Sequence, residues 1–269
     1  MQLIAGGDVA LAYHDAGAGE PVLFVHGASI ADAFRPLFSE TALADYRLIA
    51  YHRRGYGGSD PAPASMTLEE HAADCRAVLS HVGVQRAHVV GHSFGALVAL
   101  QLALDTPQLV GTLTLLEAGL LVGDSADLYR RGLEESVARY REVAARVAVD
   151  EFFRLRWPTY RERLDRVVPG AFEQAVRDAA SCFEVDLPSG LAAELGEAQV
   201  RRVAQPTLVV LGEKSAALHP RFEETYRLLL EWLPKRKGCV VPGASHFLQL
   251  EQPRAAADAL AAFFRRHPL

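Results

Sequence analysis

The chain has 269 residues, of which 50% are hydrophobic and 23% charged, with a formal net charge of -5. That length and balance suit one large soluble α/β domain with an insertion, or two small domains. The acidic balance lacks the basic footprint of a nucleic-acid binder, and no apolar run approaches the roughly 20 residues of a membrane span.

The first residues, Met1 to Asp8, lack the basic start and apolar middle of a signal peptide. Three cysteines, Cys75, Cys182 and Cys239, are odd in number and far apart. They imply free thiols in a reducing cytoplasm, not a disulfide framework or a zinc site.

Residues 2–14 read as two short strands around a Gly6-Gly7-Asp8 turn. After a second turn at Gly17–Pro21, Val22-Leu23-Phe24-Val25 is a continuous apolar run, as a strand buried on both faces should be. It ends in His26-Gly27-Ala28-Ser29. A short helix is expected over 33–43, then a strand at Tyr46–Tyr51 running into a glycine-rich loop, His52–Asp60. Thr67-Leu68-Glu69-Glu70 is a capping box and predicts a helix to about Val82.

Next comes the stretch that carries most of the chemistry. The β-branched run His88-Val89-Val90 meets Gly91-His92-Ser93-Phe94-Gly95, and a helix-forming run, Ala96–Leu104, follows at once. Strand, sharp turn and helix with a serine at the apex is the pattern of a nucleophile elbow. Glycine on both sides lets the helix pass close to the strand. The serine would sit at a helix N-terminus, where free N–H groups favour negative charge.

Gly111–Leu116 is another buried strand, ending in Glu117. From about Leu120 to Val203 the chain is helical and rich in Arg and Glu, and Pro158, Pro169 and Pro188 divide it into about four helices. Strands resume at Gln205–Leu211. A helix over 220–233, a strand at Arg236–Val241, a loop at Pro242–Phe247 and a closing helix from Pro253 to Arg266 complete the chain. Strands alternating with helices imply a mostly parallel sheet with helices on both faces. Ligands in such sheets bind at the carboxyl ends of the strands, where the loops at His26, Arg54, Ser93, Glu117 and His246 would converge.

Four motifs in this order, His26-Gly27, Arg54-Gly55-Tyr56-Gly57-Gly58-Ser59, Gly91-His92-Ser93-Phe94-Gly95 and Gly243-Ala244-Ser245-His246-Phe247, resemble the α/β-hydrolase fold over the whole chain. The resemblance implies an eight-stranded, mostly parallel sheet flanked by helices, with a core of residues 1–119 and 204–269 and a helical cap at 120–203. One departure is His52, where the family usually has an Asp two residues before the loop arginine.

On this resemblance Ser93 is the expected nucleophile and His246 its base. The oxyanion hole would use the backbone N–H groups of Ala28 and Phe94. His26, Ser29, Trp157 and Phe247 are the expected substrate contacts, although His26 also reads as ordering the oxyanion loop. His92 reads as packing. Arg154, Arg156, Arg161 and Arg163 read as a solvated helix face, with a carboxylate contact as the other possibility.

The acid departs from the family's Gly-x-x-Asp, because the chain reads Gly212-Glu213-Lys214-Ser215. Three readings follow: a Ser-His pair without an acid, Glu213 as a substitute, or Glu117 as an acid moved to the preceding strand. Glu117 is favoured. A carboxylate ending a buried apolar strand is costly unless partnered, and haloalkane dehalogenases resemble this placement. A serine at the elbow points to an acyl-enzyme route on a hydrophobic ester, lactone, thioester or carbonyl-adjacent C–C bond. The alternative is a non-hydrolytic protein of the same fold, a small-molecule receptor or a cyclase-like enzyme. No cofactor or metal is implied. The expected partner is a small-molecule substrate, without nucleic acid or membrane, and a homodimer is left open.

Overall fold

The computed structural model describes residues 1–5 and 9–269; the expected turn at Gly6–Asp8 lies outside them. Among the described residues, one sheet is formed by β1 (Gln2–Ala5), β2 (Ala10–Ala16), β3 (Glu20–Val25), β4 (Tyr46–Tyr51), β5 (Ala87–His92), β6 (Val110–Leu116), β7 (Thr207–Gly212) and β8 (Arg236–Val241). Their spatial order is β1-β2-β4-β3-β5-β6-β7-β8. β2 runs antiparallel to both of its neighbours, and every other pairing is parallel.

The central strands are apolar on both sides because both faces are covered. Successive side chains point to opposite faces. Leu23, Val25, Val89, Leu113 and Val209 join one core cluster, whereas Val22, Phe24, Val90, Leu116 and Val210 join the other. β8 closes one edge and exposes Arg236 and Lys237, charges that discourage pairing with another chain.

Two helices precede β6: α1 (Leu68–His81) and α2 (Phe94–Asp105). The capping box at Thr67 forms, with Thr67 Oγ1 accepting from the Glu70 N–H and Glu70 Oε2 accepting from the Thr67 N–H. Between β6 and β7 lie α3 (Ala126–Glu142), α4 (Ala145–Arg154), α5 (Tyr160–Val167), α6 (Ala171–Arg177), α7 (Leu187–Ala192) and α8 (Glu197–Val200). After β7 come α9 (Ser215–Leu218), α10 (Arg221–Trp232), α11 (Leu248–Glu251) and α12 (Pro253–Phe264). Among the described residues no helix is long and apolar enough to cross a membrane.

Two expectations change. Residues 33–43 form two 3₁₀ segments, Arg35–Ser39 and Thr41–Leu43, not one helix. Phe34 and Leu37, three residues apart, are both buried under the sheet, which fits the 3₁₀ repeat. The stretch 120–203 is also cut more finely than four helices. Pro158 and Pro169 do separate helices, but Pro188 lies in the first turn of α7, where its missing N–H is not needed. A π-helical turn, Ser181–Asp186, precedes it.

Candidate active site

The elbow is built as the turn demands. Ser93 follows β5 with φ 53° and caps α2, a conformation that L side chains rarely adopt. A Cβ on Gly91 would collide with the Gly95 carbonyl, and one on Gly95 with the carbonyls of Val25 and His26. The Ser93 N–H donates to the Leu116 carbonyl at 2.9 Å, and its own carbonyl accepts from the Gly119 N–H at 3.1 Å. The strained residue is therefore held from both sides by the chain leaving β6.

His246 lies in the loop after β8 and is buried. His92, the last residue of β5, donates from Nε2 to the His246 carbonyl at 2.8 Å. The ring of His246 rests against Phe222 and Phe247. So held, its Nε2 lies 3.0 Å from Ser93 Oγ and its Nδ1 lies 3.4 Å from Glu117 Oε2.

Glu117 ends β6 with φ 50° and is 4% exposed. Its Oε1 accepts from the Gly212 N–H at 2.5 Å and from Ser215 Oγ at 2.7 Å. The serine at the family's usual acid position thus donates to the carboxylate from the neighbouring strand. Glu213 faces away, its Oε2 accepting from the Gly243 N–H at 2.7 Å in an exposed turn.

Burial sets the electrostatics. It pushes the Glu117 carboxyl up to about 7, against the pull of the Gly212 and Ser215 hydrogen bonds and of Arg221. Burial, then the neighbouring His92, Arg221 and Arg156, holds the His246 imidazole well below its usual value. At neutral pH the ring is uncharged, and its Nε2 is free to accept a proton.

Ser93 opens on a cavity of about 30 Å³ bordered by Ala28, Phe94, Tyr129, Phe152 and Arg156. Ala28 and Phe94 are the expected oxyanion-hole residues, and both border it. The four expected substrate contacts do not. Trp157 and Phe247 pack against each other with ring centroids 6.0 Å apart, and both are buried. Ser29 turns its hydroxyl back to the Ala28 carbonyl. His26 is buried, its Nδ1 donating to the Gly27 carbonyl at 2.7 Å and its Nε2 accepting from the Arg53 N–H at 3.0 Å. The loop's own backbone absorbs these polar groups before any ligand could.

The structure adds residues that the sequence did not single out. Arg53, fully buried beside the anticipated Arg54, donates to the carbonyls of His26 and Gly27, each at 3.1 Å. Asp186, in the π-helical turn, holds the same guanidinium through both oxygens, at 2.8 and 2.5 Å. A carboxylate from the helical stretch between β6 and β7 thereby clamps the loop that carries Ala28. The adjacent arginines of His52-Arg53-Arg54 were the visible signal, but their order of burial was not. Arg156 corrects an expectation as well: it is buried, 6% exposed, and not on a solvated face.

The sequence profile of the alpha/beta hydrolase fold matches residues 20–253. The chain belongs to that family. It is 28% identical over 259 residues to a dihydrolipoyllysine-residue acetyltransferase component of the acetoin cleaving system of Pseudomonas putida, a match covering 93% of this chain and 64% of that one. The chain thus spans less than two thirds of the acetyltransferase components it matches. This hydrolase-fold chain is also 27% identical over 254 residues to a 2-hydroxymuconate semialdehyde hydrolase of Pseudomonas putida, covering 88% of this chain and 84% of the relative. Among solved structures, a thermophilic esterase from Thermogutta terrifontis superposes with a TM-score of 0.78 at 24% identity, over 99% of this chain and 100% of that one. That likeness establishes the fold.

Proposed function

We propose that this α/β-hydrolase is a serine hydrolase that cleaves an ester, a lactone, a thioester or a C–C bond next to a carbonyl through an acyl-enzyme. The observation that carries this reading is the 3.0 Å approach of His246 Nε2 to Ser93 Oγ, with Glu117 on the opposite ring nitrogen. In the proposed cycle Ser93 Oγ attacks the carbonyl carbon while its proton passes to His246 Nε2. Glu117 keeps the Nδ1–H tautomer and offsets the charge of the imidazolium. The N–H groups of Ala28 and Phe94 hold the oxyanion, each contributing roughly 2.7–4 kcal/mol to lowering the barrier. Collapse of the intermediate expels the leaving group with the proton from His246. Water, activated by the same ring, then hydrolyses the acyl-enzyme.

The relatives support the reaction class, since one is a semialdehyde hydrolase of similar length. A serine in place of the usual acid at position 215 is the feature that would favour the non-hydrolytic alternative. With Ser215 donating to Glu117, that substitution no longer argues for it. A fluorophosphonate probe tests the proposal. Ser93 should be labelled, with labelling abolished in Ser93→Ala and strongly slowed in His246→Ala. Intact protein that leaves Ser93 unlabelled would overturn it.

A further inference from the structure

Two guanidinium groups are buried beside the site, and among the described residues neither forms a salt bridge with an acid. Arg156 follows α4. Its Nη1 donates to the Phe152 carbonyl at 3.0 Å, and its guanidinium lies over the Phe152 ring, 3.5 Å from the centroid. Arg221 opens α10 and is 1% exposed. Its Nη1 donates to the Ala118 carbonyl at 2.9 Å, while its Nε and Nη2 have no hydrogen-bond partner among the described residues. Its guanidinium lies 4.0 Å from the ring centroids of both Tyr129 and Phe222.

Three other arginines of this region are paired with acids. Arg53 has Asp186, and Arg154 and Arg161 share Asp150. Glu117 attracts Arg221 across the site, but its oxygens hydrogen-bond Gly212, Ser215 and His246 and not the guanidinium. A buried cation without a counter-charge is unfavourable. Arg221 is doubly so, at a helix N-terminus whose dipole repels it. Capping the Ala118 carbonyl would need only a neutral donor. Among the described residues no carboxylate bonds either guanidinium, and an anionic ligand would supply that partner.

Position says how it arrives. Arg156, Tyr129 and Phe152 border both the cavity at Ser93 and an adjoining groove of about 530 Å³. That volume is typical of small-molecule sites, so a ligand passing from the groove to Ser93 passes Arg156. Tyr129 shows the local field: burial raises its phenol, but Arg221 and then Arg156 more than reverse this and hold it below the usual value.

Building on the serine-hydrolase reading, we propose that the substrate carries a carboxylate a short distance from its scissile carbonyl, gripped by Arg156 with Arg221 behind it. The flat fork of a guanidinium matches a carboxylate through two parallel hydrogen bonds. The substrate class is an acid half-ester, or a lactone bearing a free acid.

The test compares two esters that differ only in charge, mono-4-nitrophenyl glutarate and its methyl ester. The readout is the ratio of their kcat/KM values within each variant, which does not depend on how much protein is folded. The wild type should favour the acid by at least about tenfold. Arg156→Gln should bring the ratio to about one, and Arg156→Lys should fall between. A wild-type ratio at or below one, or an unchanged ratio in Arg156→Gln, overturns the proposal. A second arm needs no turnover: monomethyl glutarate is titrated calorimetrically into Ser93→Ala with and without Arg156→Gln. Binding that requires Arg156 sustains the carboxylate site even where the fluorophosphonate leaves Ser93 unlabelled and the hydrolase reading falls. Heat that is absent, or indifferent to Arg156, overturns the site by itself.

Discussion

Glu117 shows how much one residue is asked to do. Its Oε1 is committed to the Gly212 N–H and Ser215, leaving Oε2 for His246 Nδ1. In Glu117→Gln the amide oxygen would stay with the two donors, and the NH₂ would face His246. That forces the ring into the Nε2–H tautomer, which cannot take a proton from Ser93. On the proposed mechanism kcat should fall by on the order of 10³–10⁴, whereas Ser215→Ala should cost only a few-fold. Because burial holds the Glu117 carboxyl near 7, it is protonated on the acid side, so kcat/KM should rise with pH to a plateau above about 7. Ser215→Ala removes a hydrogen bond to the carboxylate and should move that limb to higher pH. Ester kinetics from pH 5 to 9 check both, and a Glu117→Gln enzyme within a few-fold of wild type would remove the acid from the mechanism. Residues on which the backbone itself depends were legible in the sequence. Ser93 stands out because only glycines at 91 and 95 let α2 pass so close. Arg156 was not legible, since four arginines spaced along one helical stretch look alike until packing buries one.

At the scale of elements, the strands could be read because a strand covered on both faces needs an unbroken apolar run. The helix over 33–43 could not, because the same residues serve a 3₁₀ repeat as well as an α-helical one. Least visible was the contact between the π-helical turn and the loop after β4. Arg53 and Asp186 lie far apart in sequence and meet only in the folded chain. Asp186→Asn would leave the Arg53 cation fully buried with no carboxylate bonded to it among the described residues. The expected loss of stability is about 3 kcal/mol in urea denaturation. Arg53 also holds the carbonyls of His26 and Gly27, so the Ala28 N–H should lose its fixed direction, and kcat should fall more than KM rises. A loss below about 1 kcal/mol with unchanged kcat would mean that the pair neither braces the helical stretch nor steadies the loop.

Across the whole molecule, the same burial that prepares the site governs how the fold responds to acid. His26, His71, His88, His92 and His246 are buried, and burial is the first cause holding each below its usual value, His71 at about 3 and His92 at about 4. Below pH 6.5 the unfolded chain binds protons at these rings that the folded chain refuses, so stability falls as pH falls. Glu117 acts in the opposite sense. Its folded value near 7 exceeds the unfolded 4.5, so the contribution it makes below 4.5 is lost as pH rises through 7. Burial raises the carboxyls of Asp74, Asp178 and Glu251 in the same direction as Glu117, so the response to acid is the balance of these groups against the histidines. His71 isolates the effect, because it is 1% exposed, lies outside the proposed chemistry and has no hydrogen-bond partner on either ring nitrogen among the described residues. His71→Met keeps an apolar filler against Phe94 and removes the refused proton. It should gain about 2 kcal/mol more at pH 5 than at pH 8. Denaturant titrations of both proteins at the two pH values measure this difference directly. An equal effect at both, or a larger one at pH 8, would show that His71 is already protonated in the fold, through its 3.8 Å approach to Asp186.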